Sequence, residues 1–193
     1  MKIQTIILVS FILALFFTTN VSAQETYNSK IVLHGTKMTS DSSRFGITGR
    51  MAIPNPGAKI VVTIAGPKFS IKDKWSIEFM IGTFSKENVG EMLFDSRIYY
   101  SVLKPLLLSS CIEYFPKSGN WYTYFDANYK IGNLGLVGIE SENMHFKGTP
   151  DDPSFGPRIA IPFQEGHFIL IGAYQFHNSG NVNKVWIRAI LNF

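Results

Sequence analysis

A repeated alternation of apolar and polar side chains limits the fold of this chain more than any other feature of its sequence. Around the first such segment the apolar residues Phe45, Ile47 and Ile53 alternate with a set that contains Arg44 and Arg50. Successive side chains of a β-strand point to opposite faces, so a period of two residues gives a strand with one apolar and one polar face. The sequence therefore predicts strands, and it contains no helix of useful length.

The same period recurs along the chain to its last residue. Later apolar faces are predicted to consist of Ile60, Val62, Ile64; Trp75, Ile77, Phe79, Ile81; Trp121, Phe125, Ala127, Tyr129, Ile131; and Leu134, Leu136, Gly138. Residues that favour turns, such as Pro54-Asn55-Pro56-Gly57, separate these segments. We expect about ten strands between Arg44 and Phe193, with about eight or twelve as alternatives. For residues 24–43 the sequence leaves three possibilities open: a periplasmic tail, a plug or an extra strand.

The first residues have the pattern of an export signal. Lys2 precedes an apolar run from Ile6 to Phe17, and the small residues Val21 and Ala23 fit cleavage after Ala23. A membrane anchor is the alternative, but a helix that crosses the hydrocarbon needs about 20 apolar residues. We therefore expect residues 1–23 to be a cleaved signal peptide and the remainder to form one domain, with the barrel in residues 44–193.

The composition argues against several classes of protein. Cys111 is the one cysteine, so no disulfide can form within the chain. The formal net charge of +4 is small and evenly spread, which argues against a nucleic-acid partner. His34, His145, His167 and His177 show no metal-ligand spacing with one another or with Cys111. We expect neither a metal nor a cofactor.

The lengths of the predicted connections favour a barrel in a membrane. Short connections are predicted at 72–74, 104–105, 132–133 and 165–166, and one long loop at 143–157. Barrels of the bacterial outer membrane have short turns on the periplasmic side and longer loops outside. Aromatic residues make up 14% of the chain and many lie near predicted strand ends, as in the girdles at membrane interfaces. The expected fold is a closed antiparallel up-and-down transmembrane β-barrel.

The last predicted strand resembles the terminal strand of bacterial outer-membrane β-barrel proteins. Its matching residues are Val185, Ile187, Ala189, Leu191 and Phe193. In that class of protein, a final aromatic residue and alternate apolar residues are read by the barrel assembly machinery. The resemblance implies a place in the bacterial outer membrane, with outer-membrane lipids and the assembly machinery as partners.

The polar faces of the strands predict a charged interior. We expect a network of ion pairs among Arg44, Arg50, Lys59, Glu78, Asp95, Arg97, Glu113, Asp126, Lys130, Arg158 and Arg188. Burying a charge is unfavourable unless it is ion-paired or hydrated. The network therefore either fills the interior of the barrel or lines a narrow, slightly basic water path. The expected function is a structural barrel or a small porin-like channel. The alternative is a soluble secreted barrel that binds an apolar ligand among Phe79, Phe125, Leu170 and Ile187.

One motif raises the question of catalysis. His177-Asn178-Ser179 resembles the His-x-Ser element of outer-membrane lipid A deacylases, in which a histidine of the barrel wall activates a serine against an acyl ester. Those enzymes use an acidic residue on the following strand to orient the histidine, and no Asp or Glu follows Glu165. We expect no enzymatic activity, with a lipid-modifying barrel as a minor alternative.

Overall fold

The computed structural model describes residues 26–40, 44–71, 74–87, 89–177 and 182–193. They form eleven β-strands and two 3-10 turns, Pro56–Ala58 and Gln164–Gly166. None of the helical segments in these ranges is long and apolar enough to cross a membrane. The predicted signal peptide, residues 1–23, lies outside the described residues.

The strands follow one another along the chain with short connections. They are β1 (Thr26–Met38), β2 (Phe45–Pro54), β3 (Ile60–Ile71), β4 (Trp75–Lys86), β5 (Val89–Leu103), β6 (Leu106–Phe115), β7 (Asn120–Ile131), β8 (Gly135–His145), β9 (Ser154–Phe163), β10 (Phe168–His177) and β11 (Lys184–Asn192). Each strand pairs with its neighbours in sequence, and β1 and β11 close the barrel.

The closing pair is parallel, whereas every other pair is antiparallel. Thr26 of β1 lies opposite Lys184 of β11, and His34 lies opposite Asn192. The predictions of about ten strands and of a wholly antiparallel barrel are therefore wrong. The segment left open by the sequence supplies an extra strand, β1, and an odd number of strands in an up-and-down barrel requires one parallel pair.

The lengths of the connections differ less between the two ends of the barrel than the sequence predicted. We call the end that holds Met38 and Phe193 the proximal end, and the end that holds Thr26 the distal end. The predicted long loop at 143–157 is shorter, because β8 continues to His145 and β9 begins at Ser154. The eight residues 146–153 that remain still form the longest connection, and they lie at the distal end.

The outer wall of the barrel is apolar on most strands, as the alternation predicted. Phe79, Ile81 and Ile187 are each more than half exposed, whereas Glu78 is fully buried on the strand that carries Phe79. Apolar side chains therefore cover the outside of the barrel, and charged side chains lie inside.

Strand β3 faces the opposite way from its prediction. Ile64 is buried in the interior, while Phe69 and Ile71 are exposed. Ile64 lies directly opposite Arg50 of β2, and residues that oppose each other in an antiparallel pair share a face. Ile60, Val62 and Ile64 thus belong to the inner face. The strand also continues through Pro67 to Ile71.

Strand β8 is also reversed. Glu140 is buried and Ile139 is exposed, so Leu136 and Gly138 share the inner side with Glu140. The register explains this orientation, since Glu140 lies opposite Asp126 of β7. The predicted outward orientation of Leu136 and Gly138 is therefore wrong, whereas Leu134 is exposed and precedes the strand.

An apolar cluster fills part of the distal half of the interior. Its buried members are Ile64, Met80, Leu93 and Phe115, and Val62, Phe84 and Tyr122 pack against it. The rings of Phe84 and Phe115 meet edge to face, with their centroids 5.5 Å apart. This cluster lies beside the charged groups that cross the rest of the interior.

Candidate functional site

The charged interior of the barrel is the largest cluster of functional side chains among the described residues. We call it the interior network. Strand alternation turns every second side chain of each strand toward the interior, and closure of the barrel brings the inward side chains of distant strands together. Four groups of contacts make up the network.

The first group surrounds Glu78 of β4, which has no exposed surface. Arg50 of β2 approaches the carboxylate at 3.2 Å and Lys68 of β3 approaches it at 3.1 Å. The hydroxyl of Tyr99 donates a hydrogen bond to the same carboxylate at 3.4 Å and accepts one from Arg50. Two cations and a phenol thus compensate the buried negative charge.

The second group is centred on Arg97 of β5. Its guanidinium contacts Asp95 at 2.6 Å and Glu113 of β6 at 3.0 Å. Cys111 is buried beside these groups, and its sulfur and the two carboxylates converge within 4.8 Å of one another. This set has the chemistry of metal ligands. The guanidinium bonds both carboxylates, however, and so supplies the positive charge that a metal ion would otherwise supply.

The third group surrounds Glu140 of β8. Arg188 of β11 donates two hydrogen bonds to its carboxylate, at 2.7 and 2.6 Å, and Gln175 of β10 donates a third at 2.9 Å. Arg158 of β9 lies 3.5 Å from Glu140 and pairs with Asp126 of β7 at 2.7 Å. Paired N–H donors aimed at two carboxylate oxygens form one of the strongest side-chain interactions in proteins.

The fourth group is centred on Glu142, two residues further along β8. It is paired with Arg188 and with Lys30 of β1. The hydroxyl of Tyr122 donates a hydrogen bond to it at 2.7 Å. Lys30 also lies 5.4 Å from the centre of the Trp186 ring. This group ties β1 to the opposite wall of the barrel.

The predicted interior charges divide into two sets. Eight of them have charged partners inside the barrel: Arg50, Glu78, Asp95, Arg97, Glu113, Asp126, Arg158 and Arg188. Arg44, Lys59 and Lys130 are exposed near the strand ends and do not belong to the interior network. Arg44 precedes β2, Lys59 precedes β3 with a left-handed backbone (φ 52°), and Lys130 is the next-to-last residue of β7. Side chains at these positions reach solvent beyond the barrel rim.

Sequence reasoning missed four charged members of the network. They are Lys30, Lys68, Glu140 and Glu142. Glu140 and Glu142 are two residues apart, a spacing that places both on one face of a strand. They were missed because the long loop was predicted to begin at residue 143, directly after them. With these residues included, the described ion pairs join six Lys or Arg side chains to six Asp or Glu side chains.

Aromatic pairs form two belts on the outer wall. Across neighbouring strands at the proximal end, the ring centroids are 5.4 Å apart for Phe45–Phe69, 3.9 Å for Trp75–Tyr100 and 5.6 Å for Phe163–Phe168. At the distal end they are 4.4 Å apart for Tyr114–Trp121 and 6.4 Å for Phe155–Phe176. Exposed apolar side chains such as Phe79, Ile81, Phe125 and Ile187 lie between the belts.

The terminal-strand residues lie on this outer wall. Ile187 is exposed, and Val185, Ala189 and Leu191 follow the same alternation, while Arg188 is buried. Phe193 lies directly after β11, is largely exposed, and donates its backbone N–H to the carbonyl of His34 at 2.9 Å.

His177 has an acidic partner that the sequence did not indicate. Its Nδ1 lies 2.6 Å from Oδ2 of Asp152, and its side chain is almost fully buried. Asp152 belongs to the connection that precedes β9, not to the strand that follows His177. Asn178 and Ser179 lie outside the described residues, so the His-x-Ser element stays a prediction beyond His177.

Comparison of the chain with protein-family models and with curated proteins finds no match.

Proposed function

We propose that this protein is a structural β-barrel embedded in a bacterial outer membrane, with an interior closed by the interior network. The single observation that carries the proposal is the inverted polarity of the barrel. In a water-soluble sheet structure the apolar face of each strand points inward and the polar face meets water. Here Phe79 and Ile187 are more than half exposed, and Glu78 and Glu140 are buried. Hydrocarbon around the barrel would solvate such an outer wall.

The strands have the dimensions that a membrane requires. They are 9 to 15 residues long, and a tilted strand crosses the hydrocarbon with about 9–11 residues. The two aromatic belts match the girdles that mark the two interfaces of a membrane barrel. Closure also pairs the backbone amides and carbonyls between strands, so no open sheet edge would face lipid.

The contents of the interior favour a closed barrel over an open pore. About eight strands enclose a space that side chains can fill. Because the diameter of a barrel grows roughly linearly with strand number, eleven strands give a diameter about 1.4 times as large, which long side chains must span. Long side chains cross that space, as when Arg188 of β11 meets Glu140 of β8. The apolar cluster around Leu93 occupies part of the distal half. The ion-paired positive and negative charges are equal in number. This balance favours a role in holding the strands together over a role as an anion-selective channel.

The predicted export signal and the terminal strand support the outer membrane as the location. We expect the protein to fractionate with outer-membrane vesicles, and to migrate on a gel with a mobility that heating changes. Recovery of the intact, folded protein in the soluble periplasmic fraction would contradict this location.

The membrane proposal is tested by the direction in which neighbouring residues face. In a Cys111→Ser background, single cysteines placed at Phe125 and at Tyr124 are labelled with a fluorophore, and the protein is refolded into vesicles that carry a lipid-bound quencher. We expect strong quenching at 125 and weak quenching at 124, because Phe125 is exposed and Tyr124 donates a hydrogen bond to Asp126 at 2.7 Å in the interior. Equal quenching at the two positions would refute the proposal and favour a soluble barrel.

A second pair of cysteines tests the reversed strand β3. The sequence alone predicts that position 62 faces outward, whereas Val62 packs against the interior cluster. Quenching should therefore be stronger at 61 than at 62. The reverse result would mean that the register of β3 has been misassigned.

A further inference from the structure

A polar patch interrupts the apolar outer wall at the distal end of the barrel. Trp121 of β7 lies opposite His145 of β8, and Thr123 lies opposite Asn143. Thr123 and His145 thus share the face that carries the exposed Trp121 and Phe125. Together with Asn143, the hydroxyl of Thr123 and the imidazole of His145 make this part of the outer wall polar, and they have no role in the interior network.

The patch contains a continuous chain of hydrogen bonds. Thr123 Oγ1 lies 2.9 Å from His145 Nε2, and His145 Nδ1 lies 2.7 Å from Oδ1 of Asp151. An ionised carboxylate only accepts hydrogen bonds, so Nδ1 carries the proton and its N–H donates a hydrogen bond to Asp151. In the neutral imidazole, Nε2 is then the acceptor and receives the hydrogen bond of the Thr123 hydroxyl.

This arrangement is that of an activated nucleophile. A hydroxyl attacks a carbonyl efficiently when an imidazole within hydrogen-bond reach takes its proton, and a carboxylate holds the imidazole in the required tautomer. Both distances lie in the range in which such proton transfer occurs. Threonine can act as the nucleophile in the same way as serine.

The three residues line a groove of about 560 Å³ that opens on the outer wall. Ile112, Trp121 and Phe146 supply its apolar lining, and Lys147 lies at its edge. Gly119 lies beneath the lysine with φ +72°, and a Cβ there would be only 3.0 Å from Lys147 Cδ. The groove thus offers apolar contact, a hydroxyl nucleophile and an ammonium group to one bound molecule.

We propose that this groove hydrolyses the ester of an acylated lipid that has an anionic head group. The inference rests on the proposed membrane location, because the groove faces the lipid only in that setting. Ile112 and Phe146 would contact the acyl chain, and the Lys147 ammonium would attract the phosphate of the head group. Phospholipids and acylated glycolipids share this chemistry, so both are candidate substrates.

The reaction proceeds in two balanced steps. Thr123 Oγ1 bonds to the carbonyl carbon of the ester and its proton passes to His145 Nε2. The ester C–O bond breaks with its electron pair on the leaving oxygen, which takes the proton from His145 and departs as the alcohol. Water then attacks the acyl-threonine and gives a proton to His145, which returns it to Thr123 Oγ1 as the fatty acid leaves. Asp151 is a positioning residue, since it acts through His145.

The test measures fatty acid released by the full chain refolded in three settings. The first contains phosphatidylglycerol and phosphatidylethanolamine vesicles, the second contains vesicles with lipopolysaccharide, and the third contains a soluble p-nitrophenyl ester in detergent. The variants are Thr123→Val, Thr123→Ser, His145→Ala and Asp151→Asn. Thr63→Val is the matched control, because Thr63 is an exposed threonine on β3, in register with another threonine, Thr83.

We expect hydrolysis in at least one lipid setting by the wild type, by Thr63→Val and by Thr123→Ser. Thr123→Val and His145→Ala should lower the rate by about 10³-fold or more. Asp151→Asn should lower kcat by about 10²-fold with KM unchanged, which a general loss of folding would not produce. A rapid quench should also trap the acyl group on Thr123, detectable by mass spectrometry.

Failure of this inference can be distinguished from failure of the membrane proposal. If the probe at position 125 is quenched by lipid but the wild type releases no more fatty acid than Thr123→Val in any setting, the hydrolase is refuted and the membrane barrel stands. If the probe is not quenched, the membrane proposal fails, and the soluble ester then decides the chemistry of the groove. Equal rates for the wild type and Thr123→Val on that ester would refute the site as well.

Discussion

Replacing Glu140 by glutamine should strongly destabilise the barrel. The carboxylate is fully buried and accepts hydrogen bonds from Arg188 at 2.7 and 2.6 Å and from Gln175 at 2.9 Å. Glutamine keeps the shape of the side chain but loses its charge. Its amide N–H groups would also face the N–H donors that now bind the carboxylate. Removing one partner of a buried pair costs about 3–5 kcal/mol, because the other charge stays buried. Arg188 stays paired with Glu142, and Arg158 stays paired with Asp126. We therefore expect the free energy of unfolding to fall by about 3 kcal/mol, the lower end of this range.

The loss is measured by urea titration in detergent micelles, followed by tryptophan fluorescence and by heat-dependent gel mobility. Glu165→Gln is the matched control, since Glu165 is exposed in the proximal turn after β9 and should give no measurable change. In the Arg188→Met background, Glu140→Gln should cost about 2 kcal/mol less than it does alone. If Glu140→Gln unfolds at the same urea concentration as Glu165→Gln, water reaches the interior network and the barrel is not closed.

Three further results follow from the same structure. Phe125→Arg should lower the free energy of unfolding by about 2–4 kcal/mol, and Tyr129→Arg, near the proximal end, by about 0–1 kcal/mol, because the cost of a charge against lipid depends on its depth. Urea titration in vesicles measures both losses. Equal losses for the two variants would contradict the membrane setting. The wild type should give no stepwise conductance in a planar bilayer, while Arg188→Ala should give one, and a conducting wild type would refute closure by side chains. Cys111 is buried, so a maleimide should label it only after unfolding, as mass spectrometry can show; rapid labelling of the folded protein would mean that the interior is open.

Reasoning from sequence identified β7 without the aid of its neighbours. Trp121, Phe125 and Tyr129 alternate with polar residues such as Asp126 and Asn128, so only one orientation leaves the charges on one side. The same contrast between faces predicted the outward sides of β2, β4 and β11. A period of two residues is a local property of the strand, and a sequence reports it directly.

The orientation of β3 and β8 depended on contacts with other strands. Val61 and Val62 are equally apolar, so the alternation in β3 does not distinguish its faces. The face is decided only when Ile64 pairs with Arg50 and Lys68 reaches Glu78. The long-range pairing of strands thus overrides an ambiguous local pattern.

The partners in the candidate sites are likewise a property of the closed barrel. Arg188 and Glu140 lie 48 residues apart in sequence, and Thr123 and His145 lie 22 apart. The sequence by itself determined that the chain forms strands with an apolar face and a charged face. Only tertiary structure decided that there are eleven strands, that β1 closes the barrel in parallel with β11, and which charges meet, because each of these depends on register between strands that are distant along the chain.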